Sequence, residues 1–278
     1  MTESLEETQI FAVEQEDRAA DQVYWKSPAM VELVGCIVFL ILGVTPYLAL
    51  ANPRHRPIPF QLIQSGEYIL NPVNNESFDS ETISDLVLIL VAVLLPVILQ
   101  AVLAKYVLKR PGDTHATICT YLVGFGLTML ATETIKHYVG YLRPSFYDLC
   151  EPTADYTACT AQDSDDARKS FLSGHASMAF CGLSLLSKYL ERSFGIDSVT
   201  QVSADEDSNV VIRYKTKSPH FHRLFSILCL LPMASAIFIA ASRVVDNKHF
   251  PADIVGGSVL GAACAQFAHR LWFPSLRA

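Results

Sequence analysis

Charge is scarce in this chain. Asp, Glu, Lys and Arg make up 18% of its 278 residues, while 51% are hydrophobic. A soluble domain carries about a quarter charged residues, so the deficit argues against an ordinary water-soluble fold. Basic residues are the scarcer sign, 21 Lys and Arg against 28 Asp and Glu, for a formal net charge of −7. No stretch gathers them into the electrostatic footprint of a nucleic-acid binder. The first 25 residues are acidic and lack the basic n-region and cleavage site of a secretory signal. The apolar block that follows them is therefore expected to persist as a helix. Internal repeats and low-complexity tracts are also missing.

What the chain has instead is apolar residues in blocks of about 20, the length that crosses a bilayer as a helix. Six are present, at Ala29 to Ala51, Leu86 to Ala104, Ala116 to Ile135, Ser173 to Leu190, Leu224 to Ala241 and Ile254 to Trp272. The last three are shorter or carry polar residues near one end, which suggests that those ends face protein. Backbone groups in lipid must be satisfied within their own segment, so the blocks read as helices. The expected fold is all-α and polytopic, with six transmembrane helices. Residues 1–28 form an acidic cytosolic segment, 29–273 the six-helix domain, and 274–278 a cytosolic tail. Tyr24, Trp25 and Lys26 look like interfacial anchors before the first block. A mild excess of Lys and Arg between alternate blocks places both termini in the cytosol. The connection at 191–223 then lies in the cytosol too. Its alternating residues around Val199 to Val202 and Val210 to Tyr214 suit a short hairpin or a disordered loop.

Three polar clusters stand beside block ends, all on one side in that topology. The first is KHYVGYLRP, in which Lys136 and Arg143 lie seven residues apart, on one helical face about 10 Å apart. Pro144 turns Arg143 out of helical geometry. Two cations so placed can hold a phosphate, or can be a basic flank that snorkels to the interface. The second cluster, KSFLSGHAS, sets Ser173 as an N-cap and Gly174 where backbone can approach a ligand. A helix N-terminus there is an anion site, with His175 in its first turn as a proton donor; a capped helix with an incidental histidine fits as well. In the third, SRVVDNKHFPAD, Pro251 suits the first turn of a helix and His249 lies four residues before Asp253. A carboxylate that holds one ring nitrogen leaves the other free as a nucleophile. Asp253 can equally be a charge that favours a helix start.

Taken together, Lys136, Arg143 and Pro144; Ser173, Gly174 and His175; and Ser242, Arg243, His249 and Asp253 stand at the spacings K-x6-RP, SGH and SR-x5-H-x3-D. In these residues the chain resembles the type 2 phosphatidic acid phosphatase superfamily and, within it, the lipid phosphate phosphatase branch. Leu172 replaces a proline of that pattern. The resemblance implies His249 as nucleophile through a phosphohistidine, Asp253 orienting its ring, and His175 as the acid for the leaving oxygen. Lys136, Arg143, Arg243, Ser173 and Gly174 would hold the phosphoryl oxygens. Positioning and fixed charge are most of what phosphoryl transfer needs, so no metal or cofactor is expected. Glu133, one turn before Lys136, pairs with it or is a helix-end charge without a role.

A phosphate headgroup on acyl chains can reach such a site while its tails stay in the bilayer. The expected partners are thus the bilayer and a phospholipid or sphingolipid phosphate, such as phosphatidic acid, lysophosphatidic acid, diacylglycerol pyrophosphate or a sphingoid phosphate. The expected location is the plasma membrane or an endomembrane, with the site facing outside or the lumen. An isoprenyl diphosphate phosphatase keeps the same fold with another substrate. A vanadium haloperoxidase shares the pocket but not the apolar blocks. A catalytically inactive scaffold relative would usually have lost one of the two histidines. Of seven cysteines, Cys36, Cys119, Cys181, Cys229 and Cys264 lie in apolar blocks as small buried hydrophobes. Cys150 and Cys159 lie in the long outer loop, on the oxidising side, and are expected to form a disulfide.

Overall fold

The computed structural model describes residues 27–50, 52–62, 64, 66–78, 80–162, 164–193, 201–204, 210–213 and 219–273. The acidic segment 1–26 with its anchor residues Tyr24, Trp25 and Lys26, and the tail 274–278, lie outside them. Among the described residues the long helices are α1 (Ser27–Ala49), α2 (Asp85–Val107), α3 (Pro111–Val139), α5 (Gly174–Ser193), α6 (Pro219–Val245) and α7 (Pro251–Trp272), with a short α4 (Phe146–Cys150) between α3 and α5. They follow the six apolar blocks closely.

Local sequence explains where the helices begin and end. Pro111 opens α3 at a position where its missing N–H costs nothing. Gly140 closes α3 in the left-handed region at φ 58°, its N–H bonded to the Lys136 carbonyl. A Cβ at Gly140 would stand 2.0 Å from the Arg54 carbonyl, so glycine is needed there twice over. Pro251 opens α7, and Asp253 Oδ2 accepts the Phe250 N–H at 2.9 Å. In α2, Pro96 has no N–H to return to the Ala92 carbonyl, and the helix widens into π turns at Leu90–Leu94 and Leu103–Val107. That carbonyl rests against Gly182 of α5, where a Cβ would come within 1.7 Å.

α5 is the central helix, packed against α7, α6, α3 and α2. Glycines allow the close approaches: Gly257 of α7 lies on the Ser173 carbonyl, Gly261 on that of Ser177, and Gly43 of α1 against Gly126 of α3. The outward faces of α1, α2 and α6 are apolar, with Ile41, Leu42, Leu95, Ile98, Leu231 and Phe238 among the exposed side chains. An exposed apolar surface of this extent marks a surface meant for lipid or protein. Among the described residues, four helices are long and apolar enough to cross a membrane: Pro28–Ala49, Asp85–Val107, Gly112–Val139 and Leu224–Val245. α5 and α7 fall short of that measure. For α5 the reason is physical: enclosed by the other helices, it carries Ser177, Ser184, Ser187 and Gly182 among its buried residues.

The connection from α1 to α2 folds back over one end of the bundle. It holds the hairpin β1 (Phe60–Leu62) and β2 (Tyr68–Leu70). Its backbone is pinned by Arg54 N–H to the His137 carbonyl at 2.8 Å and Glu76 N–H to the Pro144 carbonyl at 3.1 Å. Asn74 Nδ2 donates to the Arg143 carbonyl at 2.8 Å. Under it lies a small apolar cluster of Ile58, Phe146, Tyr147, Cys150 and Ala167. Cys150 and Cys159 are disulfide-bonded there, with Cα atoms 4.8 Å apart. In the 191–223 connection, β3 (Gln201–Ala204) and β4 (Val210–Arg213) pair antiparallel as a hairpin.

Candidate active site

The three polar clusters meet at the end of the bundle capped by the α1–α2 connection. His249 sits between α6 and α7 and is buried. Its Nδ1 lies 2.7 Å from the Ser170 carbonyl. A carbonyl only accepts, so Nδ1 carries the ring proton and the lone pair is on Nε2. Asp253 Oδ2 is 3.7 Å from Nδ1, an ion-pair rather than a hydrogen-bond distance. The carboxylate acts one step away: the same Oδ2 accepts from Ser170 Oγ at 2.5 Å. Asp253 thus fixes the residue whose carbonyl holds the histidine. Burial, above all, pushes the His249 ring down from 6.5 to about 3; Asp253 opposes this, and the cations Arg143 and Lys136 add to it. The imidazole is therefore neutral at ordinary pH.

Arg143 is braced on three sides. Nε donates to the Asp166 carbonyl and Nη2 to Asp166 Oδ1, both at 2.7 Å, and Nη1 donates to the Lys248 carbonyl at 3.1 Å. Burial alone would raise the Asp166 carboxyl, but Arg143, Lys248 and Lys136 outweigh it and hold it below the usual carboxylate range. Lys136 pairs with the buried Glu133 at 2.7 Å. Its ammonium also lies against Gly174, where a Cβ would come within 3.0 Å of Nζ. The first turn of α5 is held by Ser173, whose Oγ accepts the Ala176 N–H at 3.3 Å and whose N–H donates to the Asp253 carbonyl at 3.2 Å. A helix N-terminus, Lys136 and the α7 start are joined at this point.

Arg243, fully buried at the end of α6, donates to Asp246 Oδ2. Asp246 is fixed in turn by Thr82, with N–H and Oγ1 at 3.0 and 2.5 Å. Arg243 Nη1 stands 3.5 Å from His175 Nε2. That nitrogen also lies 3.1 Å from the Ile83 carbonyl, which places a proton on Nε2. The Arg243 carbonyl accepts the N–H groups of Lys248 and His249, at 3.1 and 3.2 Å, so the arginine and the histidine are parts of one turn.

Lys136, Arg143, Ser173, Gly174, His175, Arg243, His249 and Asp253 are thus brought to one region. Several that hold them there were not. Asp246 lay three residues after Arg243, a spacing that signals a pair. Asp166 was one of several acids in its loop, and Ser170 carried no signal. Lys248 lies 3.4 Å from Glu81 and 3.7 Å from Asp166, with its ammonium 4.0 Å over the Phe78 ring. Beside the site, Arg54, Arg56, Asn71, Tyr141 and Phe250 line a cleft of about 560 Å³.

Two histidines, His249 protonated on Nδ1 and His175 on Nε2, the cations Lys136, Arg143 and Arg243, and the N-terminus of α5 thus meet at one end of the bundle. The chain belongs to the PAP2 superfamily, whose pattern matches residues 117–277. Among its relatives are lipid phosphate phosphatase 2 of Arabidopsis thaliana, 28% identical over 86% of this chain and 76% of that one. Diacylglycerol pyrophosphate phosphatase 1 of Saccharomyces cerevisiae is 30% identical over 56% of this chain and 53% of the yeast protein. These similarities put the chain with the lipid phosphate phosphatase branch. No solved structure matches it.

Proposed function

We propose that this chain is an integral membrane phosphatase that hydrolyses lipid phosphates through a phosphohistidine, without a metal. All six long helices would span the bilayer, α5 and α7 as inner members, with the site on the outer or lumenal face. Named substrates of the relatives, lipid phosphates and diacylglycerol pyrophosphate, support a phosphate group anchored by acyl chains.

The observation that carries the reading is the tautomer of His249. With Nδ1–H given to Ser170, Nε2 offers its lone pair beside Arg143, Lys136 and the start of α5. Nε2 attacks phosphorus, an N–P bond forms, and the bond to the lipid oxygen breaks. His175, acting as the imidazolium, gives its Nε2 proton to that oxygen and becomes the neutral ring, and the free alcohol leaves. His175 then takes a proton from water, whose oxygen attacks the phosphohistidine and releases phosphate with His249 restored. Lys136, Arg143, Arg243, Ser173 and the Gly174 N–H hold the phosphoryl oxygens throughout. Such fixed charges are worth most in a site that excludes water.

Phosphate release from phosphatidic acid, lysophosphatidic acid, diacylglycerol pyrophosphate, sphingoid phosphate and isoprenyl diphosphate in mixed micelles tests this. Turnover of the acyl or sphingoid substrates is expected to persist in chelator and to be inhibited by vanadate. His175→Ala should slow it by about 10²–10⁴, the scale of a lost general acid. In His249→Ala the acid-labile phosphoenzyme should be absent and turnover lost while the chain still purifies folded. Normal turnover in that variant ends the reading.

A further inference from the structure

At the end of α3 away from the phosphate site, a carboxylate, an imidazole and a thiol converge. Glu32 Oε2 lies 3.1 Å from His115 Nε2, and Cys119 Sγ lies 3.4 Å from the same nitrogen. All three atoms fall within 4.8 Å of one another. His115 and Cys119 are one turn apart on α3 and are buried. Glu32 reaches them from α1, one turn before Cys36, whose thiol is hydrogen-bonded to Cys119. The second oxygen of Glu32 is held from α7: Oε1 accepts the Trp272 indole N–H at 2.7 Å. At 1.5 Å per residue, His115 and Lys136 are roughly 30 Å apart along α3.

We propose that Glu32, His115 and Cys119 bind a divalent ion of the zinc type, which clasps α1 to α3 at the end of the bundle opposite the phosphate site. The donor set is one reason. Nitrogen and thiolate suit zinc and disfavour the hard ions magnesium and calcium. Distance is the second. Tetrahedral zinc, with bonds of about 2.0–2.3 Å, holds its ligand atoms roughly 3.3–3.7 Å apart, close to the spacing found here before any ion draws them in. Charge is the third. A carboxylate, a thiolate and a neutral imidazole balance the two charges of the ion, so the buried His115 and Cys119 gain no net charge beside the exposed Glu32. Trp272 supplies the outer hydrogen bond that metal-ligating carboxylates use to fix their direction. The fourth position falls to water or to the Cys36 thiol. The site takes no part in phosphoryl transfer, and its role is to tie α1 to the bundle.

Untagged full chain, purified in detergent, loaded with Zn²⁺ and desalted, is analysed for metal. About one zinc per chain is expected, unchanged in His249→Ala and reduced to background in His115→Gln and Cys119→Ser. Metal content thus separates this site from the hydrolytic reading, whichever way activity goes. The unvaried chain titrated with Co²⁺ should show thiolate-to-cobalt charge-transfer absorption that Zn²⁺ abolishes, a readout that needs no variant to fold. Cys36→Ser lowers that absorption if Cys36 is the fourth ligand and leaves it intact if water is; either result agrees with the site. Absence of the absorption in the unvaried chain, or zinc retained in both His115→Gln and Cys119→Ser, overturns it.

Discussion

Asp166 shows how much of the site rests on residues that touch no substrate in the proposed reaction. It takes two of the three bonds that orient Arg143, one through its carbonyl and one through its carboxylate. Asp166→Asn keeps the first and discharges the second. Hydrogen bonds to charged groups contribute about 1.5–3 kcal/mol, so phosphatase kcat/KM is expected to fall by about 10- to 100-fold. The phosphoenzyme should still form, because His249 is untouched, and Asp166→Glu should recover part of the loss. A loss of the phosphoenzyme in Asp166→Asn would instead place the carboxylate in the chemistry. His249 carries a second residue-scale prediction. Its ring is held neutral to about 3 in the folded chain, against 6.5 ordinarily. The unfolded chain takes up that proton first as pH falls. Stability should therefore decline from about pH 6.5 toward 3. Thermal unfolding at pH 7.5 and pH 5 should show a larger loss in the parent than in His249→Ala.

Glycine contacts between helices set the spacing that the site needs. Gly257 and Gly261 bring α7 onto α5, and this contact joins His249 and Asp253 at the start of α7 to Ser173 and His175 at the start of α5. A Cβ at Gly261 would stand 2.1 Å from the Ser177 carbonyl, which is backbone and cannot swing away. Gly261→Ala is expected to destabilise by about 1–3 kcal/mol, the usual cost of overpacking, and to lower activity as the two helix starts part. Gly35→Ala on α1 is the control, since nothing lies within 4 Å of a Cβ there. Melting temperatures of the two variants in one detergent decide it; equal values would show that α5 and α7 have room to separate.

For the whole molecule, the proposed orientation has a direct test. The α1–α2 connection covers the site, and Asn75, in the acceptor sequence Asn75-Glu76-Ser77, is exposed on it. In a cysteine-free background, Asn75→Cys is expected to react with an impermeant thiol reagent in intact cells, provided the chain is at the plasma membrane. A fluorescent tag on the chain, seen at the cell boundary, reports delivery whichever way the loops face. Labelling of a delivered chain only after permeabilisation would invert the topology.

Much of this protein was legible from its residues in order. Against an apolar background, Lys136, Arg143, His175, Arg243, His249 and Asp253 stand out, and Pro251 marks a helix start, although α3 ends at Gly140 rather than at the Arg143–Pro144 step the sequence suggested. Local chemistry sets both features, so no tertiary contact is needed to read them. Elimination among seven cysteines pointed to Cys150 and Cys159 for a similar reason: the other five lie within apolar blocks. The bracing of the site was decided only in three dimensions. Ser170 reaches His249 across 79 residues and Asp166 reaches Arg143 across 23. Neither distance has a sequence period, because each is fixed by how the connecting loops settle on packed helices. Sequence also assigned Asp253 to the ring of His249, whereas the structure puts the Ser170 carbonyl between them in role and the carboxylate at 3.7 Å. The meeting of Glu32 with His115 and Cys119 belongs to the same class. It forms where α1 and α3 pack along their lengths, with Gly43 against Gly126 further along the same pair, and neither helix carries that pairing in its own sequence.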